Sequence, residues 1–197
     1  MNNKRHNIID DAWDMKAENL GGAAHTLRVG LAVNTVTEAK PVVIDDVLKL
    51  YVDKPKLDHK SLLGNLPVLL HASHEGLQVA ILVVLDKDSN HIQCIPFNNL
   101  NDGGKWWIYE IGFDIVPGGL IEIVPIHPII ADVEPTEGMM VHLEALVSIV
   151  SSYLHKVQHG EIELYEQSED FSKINKKRSL SKKTPIVNNW KIKYVSE

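Results

Sequence analysis

Four runs decide the fold: Gly76-Leu-Gln-Val-Ala-Ile-Leu-Val-Val-Leu85, His91-Ile-Gln-Cys-Ile-Pro-Phe97, Lys105-Trp-Trp-Ile-Tyr-Glu-Ile-Gly-Phe-Asp-Ile-Val116 and Leu120-Ile-Glu-Ile-Val-Pro-Ile126. Each is rich in β-branched and aromatic residues. Asp86-Lys-Asp-Ser-Asn90, Asn98 to Gly104 and Pro117-Gly-Gly119 separate them as turns. The pattern is that of an antiparallel meander. In the third run Trp107, Tyr109, Ile111 and Phe113 share one face by period-two alternation and Trp106, Ile108 and Glu110 the other, so apolar weight falls on both sides, as in an interior strand.

Beyond Pro125, Pro128 and Pro135 the period changes. Thr136 has the chemistry of an N-cap, Met139, Leu143, Leu146, Val150, Leu154 and Val157 recur at spacings of three and four, and Gly160 is a natural stop. This stripe predicts a long helix packed on the meander, an α+β fold in two layers. A homodimer seam through 136–159 is the other use of such a stripe.

Upstream, Ile8, Ala12, Met15, Ala17, Leu20 and Ala24 predict a helix over 8–27. Leu27 to Val36 and Val42 to Ile44 read as strands, and Val47 to Tyr51 as a helical turn or two. The closing run, 186–195, alternates as a strand that is expected to return to a sheet edge or lie on a partner. The reading gives a single domain over 1–160 and an acidic-then-basic tail over 161–197.

Composition narrows the class. With 197 residues, 44% hydrophobic and 23% charged, the chain can bury a core without staples. Cys94 is the sole cysteine, which excludes an intramolecular disulfide and a Cys-rich zinc site. The start, Met-Asn-Asn-Lys-Arg-His, lacks the apolar run of a secretory signal, and no stretch approaches the length of a membrane span, so the expectation is a cytoplasmic protein with no membrane partner.

Charge is segregated. Of the 20 Lys and Arg residues, eight lie between Lys173 and Lys193, leaving 12 against 25 acids in 1–170. Lys173, Lys176, Lys177, Arg178, Lys182 and Lys183 fall within thirteen positions, followed by Trp190, Lys191 and Lys193. That density suits phosphate contacts, and these nine residues are the candidate binding set. The bland alternative is a solvated tail, or one neutralised by Glu161, Glu163, Glu166, Glu169 and Asp170.

Catalytic signatures are sparse. His71-Ala-Ser-His74-Glu75, with His59 upstream, holds the densest histidines of the ten in the chain and is the candidate metal set, in a segment that reads as a loop. The His-Glu-x-x-His spacing of zinc hydrolases is absent. His155 and His159 suit the C-terminal end of the long helix, and Cys94 reads as a buried strand cysteine. No Gly-x-Ser-x-Gly elbow, Walker loop or dinucleotide fingerprint occurs, so no catalytic residue and no cofactor are assigned.

Pro135-Thr-Glu137, the long aliphatic helix, Asn175-Lys-Lys-Arg178, Lys182-Lys-Thr-Pro185 and a closing strand with Trp190 and Tyr194 follow an order that resembles small uncharacterised proteins of tailed phages and prophages. The resemblance covers roughly 135–195. It implies a phage-type accessory or regulatory protein in a host cytoplasm and brings no catalytic residues. Charge and resemblance together lead to a non-enzymatic binding protein engaging a host protein or nucleic acid through its basic segment. The alternatives are a metal-dependent hydrolase or nuclease using His59, His71, His74 and Glu75, and an acidic mimic of nucleic acid.

Overall fold

The structure, a computed structural model, describes residues 8, 32, 34–74, 77–99, 106–109, 111–126, 136–183 and 185–195. The meander is present. Leu77–Asp86 (β3), His91–Asn99 (β4), Ile111–Ile115 (β6) and Ile121–Pro125 (β7) follow one another antiparallel, with Trp107–Ile108 (β5) on β4. Between Phe97↔Ile108 and Cys94↔Phe113 one strand advances three residues and the other five. This insertion of two keeps the parity of the side chains. Ile111, Phe113 and Ile115 therefore stay on one face of the sheet and Trp106 on the other.

Val68–His74 (β2) pairs with β3, and Lys40–Ile44 (β1) lies parallel to β2. The terminal strand Trp190–Tyr194 (β9) lies parallel to β1 and antiparallel to Ile162–Glu166 (β8), so the end of the chain is an interior strand and β8 is the edge. Among the described residues the sheet has nine strands in the order β7-β6-β4-β3-β2-β1-β9-β8, with β5 off this path. Two expectations fail here. The segment expected to be a loop at His71 is strand β2, because Val68 to His74 pairs residue by residue with Val83 to Leu77. Ala32 and residues 34–36, expected to be a strand, are helical, and Ala32 and Val36, four apart, both enter the core. The helix expected over 8–27 lies, Ile8 apart, outside the described residues.

Glu137–Gln158, here α3, covers the sheet face formed by Val68 and Leu70 of β2, Val79, Ile81 and Val83 of β3 and Phe113 of β6. Thr136 caps it, its Oγ1 accepting from Met139 N–H at 3.3 Å, and Gly160 follows at φ 69°. Leu143, Leu146, Val150 and Leu154 are buried and Met139 and Val157 pack beside them, so the predicted stripe is spent on the molecule's own sheet. The opposite face is also buried, beneath Ile8, Ala32, Val36, Ala39, Trp106 and Ile126, so one helical layer accounts for only half of the core.

Two short helices, Val47–Leu50 (α1) and His59–Leu62 (α2), flank a strap formed by residues 51–58. The strap crosses α3 on its outer side. Val52 N–H donates to Ser152 Oγ (3.0 Å), Lys56 N–H to His155 Nδ1 (3.2 Å) and Asp58 N–H to Gln158 Oε1 (2.7 Å). Acceptors three residues apart on one helix thus satisfy three amides of a segment without regular structure of its own. Among the described residues, no helix is long and apolar enough to cross a membrane.

Candidate polyanion-binding helix

The basic segment is an excursion between β8 and β9 that contains the helix Ser172–Leu180 (α4). Its base is closed by polar side chains. Gln167 N–H donates to Asn189 O (2.9 Å), Glu169 N–H to Asn188 Oδ1 (3.0 Å) and Asn188 Nδ2 to Glu166 Oε1 (3.0 Å). Asp170 accepts from Ser172 N–H (2.9 Å), and these hydrogen bonds hold its carboxyl below the usual carboxylate range. After Leu180 the chain reverses at Lys182, φ 54°, with Lys183 N–H on Arg178 O (3.0 Å).

Asn175 orients the helix by exchanging two hydrogen bonds with the backbone of Ile186, at 2.6 and 2.8 Å. With about 100° of rotation per residue, positions two before and two after an inward residue stand about 160° away from it. Lys173 and Lys177 occupy those positions and Lys176 flanks them, and all three are exposed. No residue of α4 is buried. Lys182 and Lys183, just beyond it, are exposed as well. Among the described residues, none of Lys173, Lys176, Lys177, Lys182 and Lys183 forms an ion pair. Arg178 is half-buried.

The neighbouring acids are engaged elsewhere. Glu161 takes Lys156 at 2.7 Å, which holds its carboxyl below the usual range, Glu163 lies 3.7 Å from Lys193, and Glu166 accepts from Asn188. Several body acids serve local structure in the same way: Asp46 caps α1, Asp58 accepts from Lys60 N–H and Asp86 holds the turn through Ser89.

The nine predicted binding residues fall into two groups. Lys173, Lys176, Lys177, Arg178, Lys182 and Lys183 lie together on α4 and the turn after it. Trp190, Lys191 and Lys193 belong to β9, where Trp190 is half-buried under Lys40 Nζ (4.4 Å to the ring centre), Lys191 pairs with Asp45 (3.0 Å) and Lys193 with Glu163. Sequence reasoning missed the clamp of Asn175 and Asn188. Asn175 lies inside α4 and Asn188 just before β9, and Asp170 two positions before Ser172 is the local signal that a helix begins.

The histidines do not converge. His59 is buried with Nε2 2.9 Å from Ile115 O on β6, whereas buried His71, in edge contact with Trp106, sits on β2. Three strand spacings, about 14 Å, separate β6 from β2. His59 and His71 are thus too far apart to share an ion. His74 ends β2, and Glu75 lies outside the described residues. Among the described residues, no group of three or more His, Cys, Asp or Glu side chains is gathered to hold a metal. Cys94 is fully buried in β4, away from any substrate approaching through solvent. Compared with protein families, curated proteins and solved structures, the chain matches none.

Proposed function

We propose that this chain is a non-enzymatic accessory protein that holds nucleic acid by its phosphate backbone through α4 and the turn after it. The observation that carries the reading is the cation face itself: Lys173 and Lys177 point away from an anchoring Asn175, exposed Lys176 flanks them, and no described acid pairs with them. Lysines held unpaired at helical spacing gain most from a polyanion, because each phosphate contact releases condensed counterions. The face offers lysine ammoniums and neither Asn, Gln nor aromatic residues, so phosphate contacts dominate and the dependence on base sequence is weak. A host cytoplasm and a phage-type origin belong to the same proposal.

The test compares the full chain with a Lys173→Gln/Lys176→Gln/Lys177→Gln variant on a short fluorescent duplex. The wild type binds, and affinity falls steeply between about 50 and 200 mM salt. The variant, folded by circular dichroism, loses about tenfold or more at low salt, and its salt slope flattens by about 2 to 3. Equal binding by the two proteins, or none by the wild type, sinks the reading and leaves a host protein as the partner to seek.

A further inference from the structure

A second feature, independent of the basic helix, lies under α1. Between α1 and the flank of α3 the structure encloses a cavity of about 470 Å³, within the size range of small-molecule sites. Its floor is hollow for a reason that can be read from the register. Val68, Leu70 and Ala72 of β2 point to this face, and where the first two fill the layer with branched side chains, Ala72 leaves a depression beside its cross-strand partner Val79. Val47 and Leu50 close the top and Leu146 and Ile149 the side.

We infer that this cavity binds a small, uncharged, apolar molecule. Among the described residues no Asp, Glu, Lys or Arg lines it, so a charged ligand would surrender its hydration without a counter-ion from them. The polar groups on its wall are few. Ser152 Oγ already accepts from Val52 N–H. The His142 ring stands edge-on to Tyr109 at 5.3 Å, and its Nε2 is buried beyond the reach of a ligand in the cavity. At the mouth, Leu48 is 78% and Tyr51 59% exposed. Two large apolar side chains in water at the lip of an apolar hollow lose that exposure when a ligand seats.

The probe is N-phenyl-1-naphthylamine, a neutral fluorophore that brightens in apolar surroundings, added to the full chain. Its signal is expected to saturate, and butylbenzene to displace it at lower concentration than butylammonium, whose charge finds no counter-ion on the described wall. Ala145 is an exposed lining residue on α3, so Ala145→Trp fills the mouth without disturbing the core, and it should abolish the signal. A signal that does not saturate, equal displacement by butylammonium and butylbenzene in the wild type, or wild-type binding by Ala145→Trp each overturns the proposal. None of these outcomes depends on whether α4 binds nucleic acid.

Discussion

Asn175 and Ile186 are joined by a reciprocal pair of hydrogen bonds: Ile186 N–H donates to Asn175 Oδ1 at 2.6 Å and Asn175 Nδ2 donates to Ile186 O at 2.8 Å. One side chain thereby ties the basic helix to the segment that enters β9. Asn175→Ala leaves both Ile186 groups without this partner, at a local cost of about 1–3 kcal/mol. The amides of 172–180 should exchange hydrogen faster while those of β3 and β4 are unchanged, as measured by exchange mass spectrometry. Duplex affinity should fall less than in the triple lysine variant, because the charges remain. Unchanged exchange in α4 would show that the pair does not hold the helix.

Gly112 is required by close approach rather than by an unusual dihedral angle. A Cβ there would stand 2.6 Å from Cys94 O and 2.8 Å from Ile126 Cδ1. The backbone oxygen belongs to the paired strand β4 and cannot turn aside. Gly112→Ala should cost about 1–3 kcal/mol in urea denaturation, the range of overpacked sites. A variant as stable as the wild type would mean that β4 and β6 separate more easily than their register suggests.

Tyr153 is fully buried on α3, and its hydroxyl has no hydrogen-bond partner among the described residues. Burial pushes its pKa up, since phenolate is poorly solvated in the core. The unfolded chain ionises first, near pH 10, so the contribution of this group is whole below that pH and declines as pH rises above it. Tyr153→Phe removes an unsatisfied polar atom and the linkage together. Its stability should equal or exceed that of the wild type by up to about 1 kcal/mol at pH 7, with a shallower decline between about pH 10 and 11. Matching alkaline profiles would contradict the assignment.

Ser152 is buried and its Oγ receives the Val52 amide of the strap. Ser152→Ala strands that N–H and should cost about 1–2 kcal/mol, with faster exchange at Val52 than at the amides of β2. Were the strap held by its apolar residues alone, thermal unfolding of the variant would overlay that of the wild type.

The meander and the long helix could be read along the chain because each shows its own period. Val79 to Leu85 and Ile111 to Ile115 are short apolar runs bounded by turns, and Met139 to Val157 repeats every three to four residues. The basic segment was legible only as charge. Its helix has almost no apolar face, because what fixes it is not a stripe but Asn175 meeting Ile186 eleven residues later. The histidines misled in the opposite sense: His59, His71 and His74 are neighbours in sequence, and strand β2 carries His71 three strands away from the carbonyl that His59 touches.

Local periodicity, turn chemistry and the segregation of charge belong to short stretches of chain, so the amino-acid order was enough to establish the antiparallel strands, the capped helix and a cluster of cations near the C-terminus. Contacts between distant stretches depend on the whole packed molecule. The parallel insertion of β9 between β1 and β8, the strap across α3, the hollow above Ala72 and the outward turn of Lys173, Lys176 and Lys177 all join residues tens of positions apart or depend on such joins. A short window of sequence holds one side of each such contact, and the energy that selects it arises only when both sides meet.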